Sequence, residues 1–270
     1  MALIQCPECG KMISDKATFC IGCGCPIEEI VTNDEINREN LSAEELFELG
    51  FLYHEGENGH KIDVKKAFEY ILLAAQKGLP SAQWKVANLY YAGDGIEANN
   101  EEMKKWIITA AKNGHDIAQY TLAEWYETGE FIEKNIQQAL YWYEQSAIKG
   151  NVDAQFSLGS IFYQGVLVPQ NFELAVKWFS EAAKQNDEDS ILCLNDCILL
   201  GLGIEKDPEK AVNSYLQLAK NNNNPEAQLR LGDCYLHGLG VQVNKQRAIY
   251  WYTLAAENGS EDARQALKEL

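Results

Sequence analysis

A chain of 270 residues with 46 % hydrophobic and 10 % aromatic side chains carries enough apolar surface to fold, either around one core or along a stack of repeats. Its net charge of −17 argues against a general affinity for phosphate backbones or anionic membrane surfaces. No apolar run approaches the roughly 18 residues of a membrane span.

The chain opens MALIQCPEC, without a basic region or a long apolar stretch, so a secretory signal is not expected and a reducing, cytoplasmic compartment is. Residues 6–23 hold two Cys-x2-Cys pairs, Cys6/Cys9 and Cys20/Cys23, with Gly10 and Gly24 directly after the second cysteine of each. Two such pairs can place four thiolates tetrahedrally around one Zn²⁺. The segment resembles a zinc ribbon of the CPxCG…CxxCG kind. Cys6, Cys9, Cys20 and Cys23 are the expected ligands of a single structural Zn²⁺, because four thiolates leave no open coordination position for catalysis. Two alternatives stand beside this. A disulfide-linked mini-domain would need an oxidising compartment, and Cys25, two residues past Cys23, could exchange into the ligand set. Lys11 and Lys16 are balanced by Glu8 and Asp15, and Phe19 is the sole aromatic, which favours a protein contact over nucleic acid for the ribbon. We place the ribbon at 1–27 and an acidic linker at 28–41. The linker lacks a coherent apolar face and reads as a flexible or weakly helical tether.

From residue 42 onward the chain repeats itself. Hydrophobic anchors Leu49, Val86, Leu122, Leu158, Leu194 and Leu231 recur every 36 or 37 residues, each followed seven positions later by a glycine: Gly56, Gly93, Gly129, Gly165, Gly201 and Gly238. Four residues before the anchor stands a small side chain in all units but the first (Ala82, Ala118, Ala154, Ser190, Ala227), and one residue after it another, Gly50, Ala87, Ala123, Gly159 or Gly232. These offsets share one face of a helix and admit a close neighbour; the glycine then ends that helix. Ser42–Glu45 is a capping box that opens the first of them.

A second helix follows in every unit. Asp63, Asn99, Asn135, Asn171, Asp207 and Asn244 stand at matching positions as N-caps, with Pro208 at the first helical position of the fifth. Seven residues past the cap lies one slot holding Tyr70, Trp106, Trp142, Trp178, Ser214 and Trp251. An aromatic that recurs in one slot is core packing, not a ligand cage. Most units close on glycine or asparagine (Gly78, Gly114, Gly150, Asn186, Asn222, Gly259), and Ala263–Leu270 begins a seventh first helix as a terminal cap. The fifth unit departs most, with Asn195 in the small slot and Ser214 in the tryptophan slot.

The sixth unit displays the pattern most fully: Ala227, Leu231-Gly232, Tyr235, Gly238, Gly240-Val241, Arg247-Ala248, Trp251, Ala255-Ala256, Gly259. It resembles the Sel1-like repeat family, relatives of tetratricopeptide repeats, over about residues 43–270. The resemblance implies an all-α fold, a right-handed α-solenoid of six helix-pair repeats over 42–270 with a C-terminal cap, preceded by the small four-cysteine zinc-ribbon module. It also implies a non-enzymatic adaptor that assembles complexes.

No catalytic constellation competes with that expectation. His54, His60, His115 and His237 sit near helix ends in separate units; His54 and His60 flank Glu55–Gly59, a stretch that could hold a metal loosely but reads better as a solvated loop. Cys193 and Cys197 lie one turn apart and Cys234 repeats the slot of Cys197, which reads as buried small side chains and not a reactive pair. On the first helices, offsets −1, +2 and +6 from the anchor vary between units: Lys85 and Asn88; Thr121, Glu124 and Thr128; Ser157, Ser160 and Gln164; Asp196; Arg230, Asp233 and His237. They are the candidate partner-reading positions: in the tetratricopeptide class, which the chain resembles, the first helices line the concave groove, so the resemblance implies a partner protein bound on that concave face, with an ordinary solvated face as the plain alternative and a basic or mixed peptide as the expected ligand. Two other functions stand as alternatives: a nucleic-acid-associated regulator acting through the ribbon, and a cryptic metal-dependent enzyme.

Overall fold

A computed structural model describes residues 3–5, 12–14, 23, 40–56, 62–221 and 223–270. The expectations for Cys6, Cys9, Cys20, Cys25, His60, Asn222 and all but the last two residues of the linker lie outside those residues. Near the N-terminus, strands β1 (Leu3–Gln5) and β2 (Met12–Ser14) pair antiparallel, with Leu3 opposite Ser14 and Gln5 opposite Met12.

Thirteen helices follow among the described residues: α1 (Ala43–Glu55), α2 (Val64–Gln76), α3 (Pro80–Ala92), α4 (Asn100–Lys112), α5 (Asp116–Thr128), α6 (Ile136–Ile148), α7 (Val152–Gln164), α8 (Phe172–Ala183), α9 (Glu188–Leu200), α10 (Pro208–Asn221), α11 (Pro225–His237), α12 (Lys245–Glu257) and α13 (Glu261–Glu269). They are the six helix pairs and the terminal cap of the sequence pattern; the cap helix begins two residues earlier than expected, on the Ser260 N-cap. The chain forms two compact units, Met1–Gln119 and Tyr120–Leu270. In the first, α1 packs on α2, α2 on α3 and α3 on α4; in the second, each helix from α6 to α12 packs on its successor.

The boundaries are local chemistry. Ser42 Oγ accepts from the Glu45 N–H at 3.1 Å while the Glu45 carboxylate accepts from the Ser42 N–H at 2.8 Å, so two of the helix's unpaired donors are satisfied reciprocally. Asp63, Asn99, Asn135, Asn171, Asp207 and Asn244 each accept a backbone N–H from the first turn of the helix that follows. At the other end, Gly238 stands at φ 73° and donates its N–H to the Cys234 carbonyl at 2.9 Å. Only a left-handed residue turns the chain there, and every first helix of the six pairs ends on such a glycine.

Packing explains the small slots. A Cβ at Gly232 would lie 2.4 Å from the Tyr252 ring, and one at Gly159 would lie 2.5 Å from the Phe179 ring. The two helices of a pair touch through that missing atom. The aromatic slot is core, as expected: Trp178 and Trp251 are buried, and Trp106 and Trp142 pack against buried clusters.

A polar element runs through this apolar interior. Gln83, Gln119, Gln155 and Gln228, all buried, follow the small residue at the start of α3, α5, α7 and α11. Each side-chain amide donates to a carbonyl near the end of the preceding helix: Gln83 to Ala75 (3.0 Å), Gln119 to Ala111 (3.0 Å), Gln155 to Ala147 (2.9 Å) and Gln228 to Ala219 (3.3 Å). Three of them accept in turn from the end of the next second helix, Gln83 from Asn113, Gln155 from Gln185 and Gln228 from Asn258. A buried amide satisfied on both sides ties one repeat to the next.

Candidate functional site

The partner-reading positions divide between the two units. In the first, Lys85 and Asn88 are half-buried on α3, and the Lys85 ammonium sits 5.4 Å from the centre of the Phe51 ring. Close by, His54 at the end of α1 uses both ring nitrogens: Nε2 lies 2.8 Å from Asp94 Oδ2 and Nδ1 lies 2.7 Å from Glu55 Oε1. The Asp94 hydrogen bond, then that of Glu55, raise the His54 pKa above 6.5 against partial burial and the Lys85 charge.

In the second unit, the acids at offset +2 are not simply solvated. Tyr215 and Tyr252 are buried at the position after the tryptophan slot, and each donates its hydroxyl to the +2 acid of its own repeat. Tyr215 reaches Asp196 Oδ1 at 2.5 Å and Tyr252 reaches Asp233 Oδ1 at 2.6 Å. In the third repeat Tyr143 donates to Glu127 Oε2 at 2.6 Å, while Glu124 is bonded by the Tyr120 hydroxyl. Burial first, and the neighbouring Glu127, Asp153 and Glu130 charges after it, raise the Glu124 pKa, with Tyr120 opposing. Burial chiefly, then Glu124, pushes the Tyr120 phenol up to about 12.

Asp196 and Arg230 come together across successive first helices, α9 and α11, with Arg230 Nε 3.2 Å from Asp196 Oδ1 and a guanidinium nitrogen 2.8 Å from Glu226 Oε1. Burial opposes the charge on Arg230; Asp196 and then Glu226 outweigh it and raise its pKa. Ser160 and Gln164 line a cavity of about 170 Å³ on α7 together with Glu127, Ser157 and the apolar Phe156, Ile161 and Leu167. Thr121 is half-buried, Thr128, Gln164 and His237 are exposed, and the Thr128 hydroxyl donates to the Glu124 carbonyl at 2.9 Å. In the second unit the acids Glu124, Asp196 and Asp233 are therefore half-buried and held by tyrosine hydroxyls, while Thr128, Gln164 and His237 near the helix ends are exposed.

Sequence reasoning missed the tyrosines and the glutamines. Both left a signal. Ala-Gln recurs at 82–83, 118–119, 154–155 and 227–228, and a tyrosine follows the tryptophan slot at 143, 215 and 252 in the repeats whose +2 residue is acidic.

The thiols of the repeats are inert fillers. Burial pushes Cys193 up to about 12, Cys197 to about 11 and Cys234 to about 12, far from the thiolate state a nucleophile needs. Of the four expected zinc ligands only Cys23 is among the described residues, where it is exposed. The β1–β2 pairing brackets residues 6–11, the stretch that carries Cys6 and Cys9. Two Cys-x2-Cys pairs are the donor set of a closed tetrahedral zinc site, so the residues present fit that metal.

The model of the Sel1 repeat matches residues 46–79, 80–115, 116–151, 152–187, 192–223 and 225–260. The chain belongs to the Sel1 repeat family. Sel1 repeat proteins are in general protein-interaction scaffolds. A zinc-ribbon domain model matches residues 5–27 of this Sel1 repeat protein. Among solved structures it is similar to c5321 of uropathogenic Escherichia coli, described as a protective antigen displaying an SLR fold. The identity is 31 % and the TM-score 0.72, over 84 % of this chain and 48 % of that one, so the chain spans about half of that protein's length. It is also similar to a Sel1 repeat protein from Oxalobacter formigenes, at 30 % identity and a TM-score of 0.67 over 82 % of this chain and 86 % of that one. No curated protein matches it significantly. No helix among the described residues is long and apolar enough to cross a membrane.

Proposed function

We propose that this Sel1 repeat protein is a non-enzymatic adaptor that holds a partner protein on the outward positions of its first helices. The observation that carries this reading is the fixing of acids there: Asp196 and Asp233 are each held by a buried tyrosine hydroxyl at 2.5–2.6 Å. A carboxylate oriented before binding loses less freedom on meeting a cationic side chain, and recognition gains affinity from that preorganisation. The net charge of −17 supports a basic or mixed partner segment. Candidate contacts are Lys85 and Asn88 in the first unit, and Thr121, Glu124, Ser160, Gln164, Asp196, Arg230, Asp233 and His237 in the second. Residues 1–27 serve as an accessory protein contact folded around one Zn²⁺ held by Cys6, Cys9, Cys20 and Cys23, in the cytoplasm, with residues 28–41 as the tether.

Photo-crosslinkers placed at the exposed Gln164 and His237, and for comparison at the exposed Glu144 on a second helix, test this in cell lysate. Covalent capture of one common protein from Gln164 and His237, and not from Glu144, is the expected result. Capture from Glu144 alone overturns the assignment of the surface. Nucleic acid carried by the full chain and lost from residues 41–270 overturns the adaptor role of the ribbon.

A further inference from the structure

We infer that the cavity beside Ser157, between α5 and α7, receives an arginine side chain of the partner protein, an inference that rests on the adaptor reading and names the chemistry of one contact. In the fifth and sixth repeats the chain supplies that group itself. Arg230 stands between two acids, with Nε 3.2 Å from Asp196 Oδ1 and a guanidinium nitrogen 2.8 Å from Glu226 Oε1. Two repeats earlier the same three positions hold Glu124, Asp153 and Ser157. Both acids are kept and the cation is not. Glu127 and Glu130 add two more carboxylates, and burial first, then the Glu127, Asp153 and Glu130 charges, raise the Glu124 pKa. Among the described residues none of these four acids has an ion-pair partner.

The cavity suits the missing side chain in shape and in charge. It measures about 170 Å³, with Phe156, Ile161 and Leu167 as apolar walls for the methylene stem and Glu127, Ser157 and Ser160 as acceptors for the guanidinium N–H groups. An apolar cavity of about 150 Å³ admits benzene, and the planar guanidinium is smaller. The exposed Val166 lines it on the solvent side. No other repeat has an acid at the position of Glu127; the fifth has the buried Leu199 there. The Tyr143 hydroxyl donates to Glu127 Oε2 at 2.6 Å and orients the carboxylate, while Oε1 takes no hydrogen bond among the described residues. Tyr120, in the place of Leu192 of the fifth repeat, gives Glu124 a hydroxyl but no positive charge. Free arginine would bring its own carboxylate into the field of Asp153 and Glu130, whereas an arginine within a chain brings none, so the occupant is a partner's side chain.

A short blocked peptide with one arginine among alanines, titrated into the full chain and followed by NMR, tests this against its citrulline twin, which keeps the shape and loses the charge. The expected result is a saturable shift of the Ser157 and Ser160 amides, with intermolecular NOEs from the arginine side chain to the methyls of Ile161 and Leu167. Citrulline should bind about tenfold weaker, and free arginine weaker than the peptide. Ser157→Arg, which places a guanidinium as Arg230 does, should abolish the NOEs. They are read in the unaltered chain and stand even if that variant does not fold. Equal binding of citrulline, shifts spread over other acids without those NOEs, undiminished binding to folded Ser157→Arg, or failure to saturate overturns the inference. Free arginine binding as tightly as the peptide overturns the assignment to a partner chain. Capture of a common protein from Gln164 and His237 without arginine binding leaves the adaptor reading and overturns this one; arginine binding without that capture does the reverse.

Discussion

The Tyr252 hydroxyl lies 2.6 Å from Asp233 Oδ1, joining a buried residue of α12 to a half-buried acid on α11, nineteen positions earlier. Tyr215 and Asp196 repeat the bond at the same separation one repeat before. Removing the hydroxyl leaves the ring in place and takes one charge-assisted bond from the pair. Tyr252→Phe is expected to cost about 1–2 kcal/mol of stability, read as a lower midpoint in urea unfolding with the slope unchanged. An unchanged midpoint would show that the bond contributes nothing net.

The contact beneath that tyrosine is steric. Because a Cβ at Gly232 would lie 2.4 Å from the Tyr252 ring, Gly232→Ala must push α11 and α12 apart. We expect a loss of about 1–3 kcal/mol despite alanine's better helix propensity, and partial recovery in the double variant with Tyr252→Leu. Thermal unfolding of the three variants checks this.

Gln228→Ala strands the Ala219 carbonyl and the Asn258 amide, both of which the glutamine satisfies. The expected cost is about 1–3 kcal/mol for the buried Ala219 carbonyl left unpaired, since the exposed Asn258 amide can turn to water. Hydrogen exchange should show faster opening at the end of α10 and of α12 before the rest of the second unit. Uniform exchange across that unit would contradict a local tie.

His54 gives the first unit a pH dependence of definite sign. The Asp94 and Glu55 hydrogen bonds raise its folded pKa above 6.5, with partial burial and Lys85 opposing. Its stabilising contribution is therefore complete below about pH 6.5 and is lost as pH rises through the folded value. NMR titration of the imidazole should give a midpoint above 6.5 that falls in Asp94→Asn, and that variant should lose stability at pH 6 but little at pH 9. A midpoint at or below 6.5 would refute the arrangement.

One zinc per chain is expected by elemental analysis of protein purified without added metal, and Cys6→Ser should lower that content without altering the helical circular dichroism of the repeats. Zinc retained in Cys6→Ser and lost in Cys25→Ser would move the ligand set onto Cys25.

Much of this protein is determined residue by residue along the chain. The asparagine caps, the left-handed glycines and the small slots each satisfy a local requirement, of an unpaired N–H, of a positive φ or of a close neighbour, so a period of 36 or 37 residues in those types already implies paired helices. The outward acids are equally visible as variable positions at offset +2. What the periodicity of one helix cannot decide is what each side chain meets across the gap. Asp196 is legible as a polar surface residue, but its tyrosine and arginine partners lie on other helices, 19 and 34 residues away. The glutamines recur in the sequence, yet a polar residue on a buried face has meaning only once the carbonyl it caps is in place. Ser214 is legible as a departure from the pattern; only the packing of α9 against α10 decides that Asn195 bonds to it.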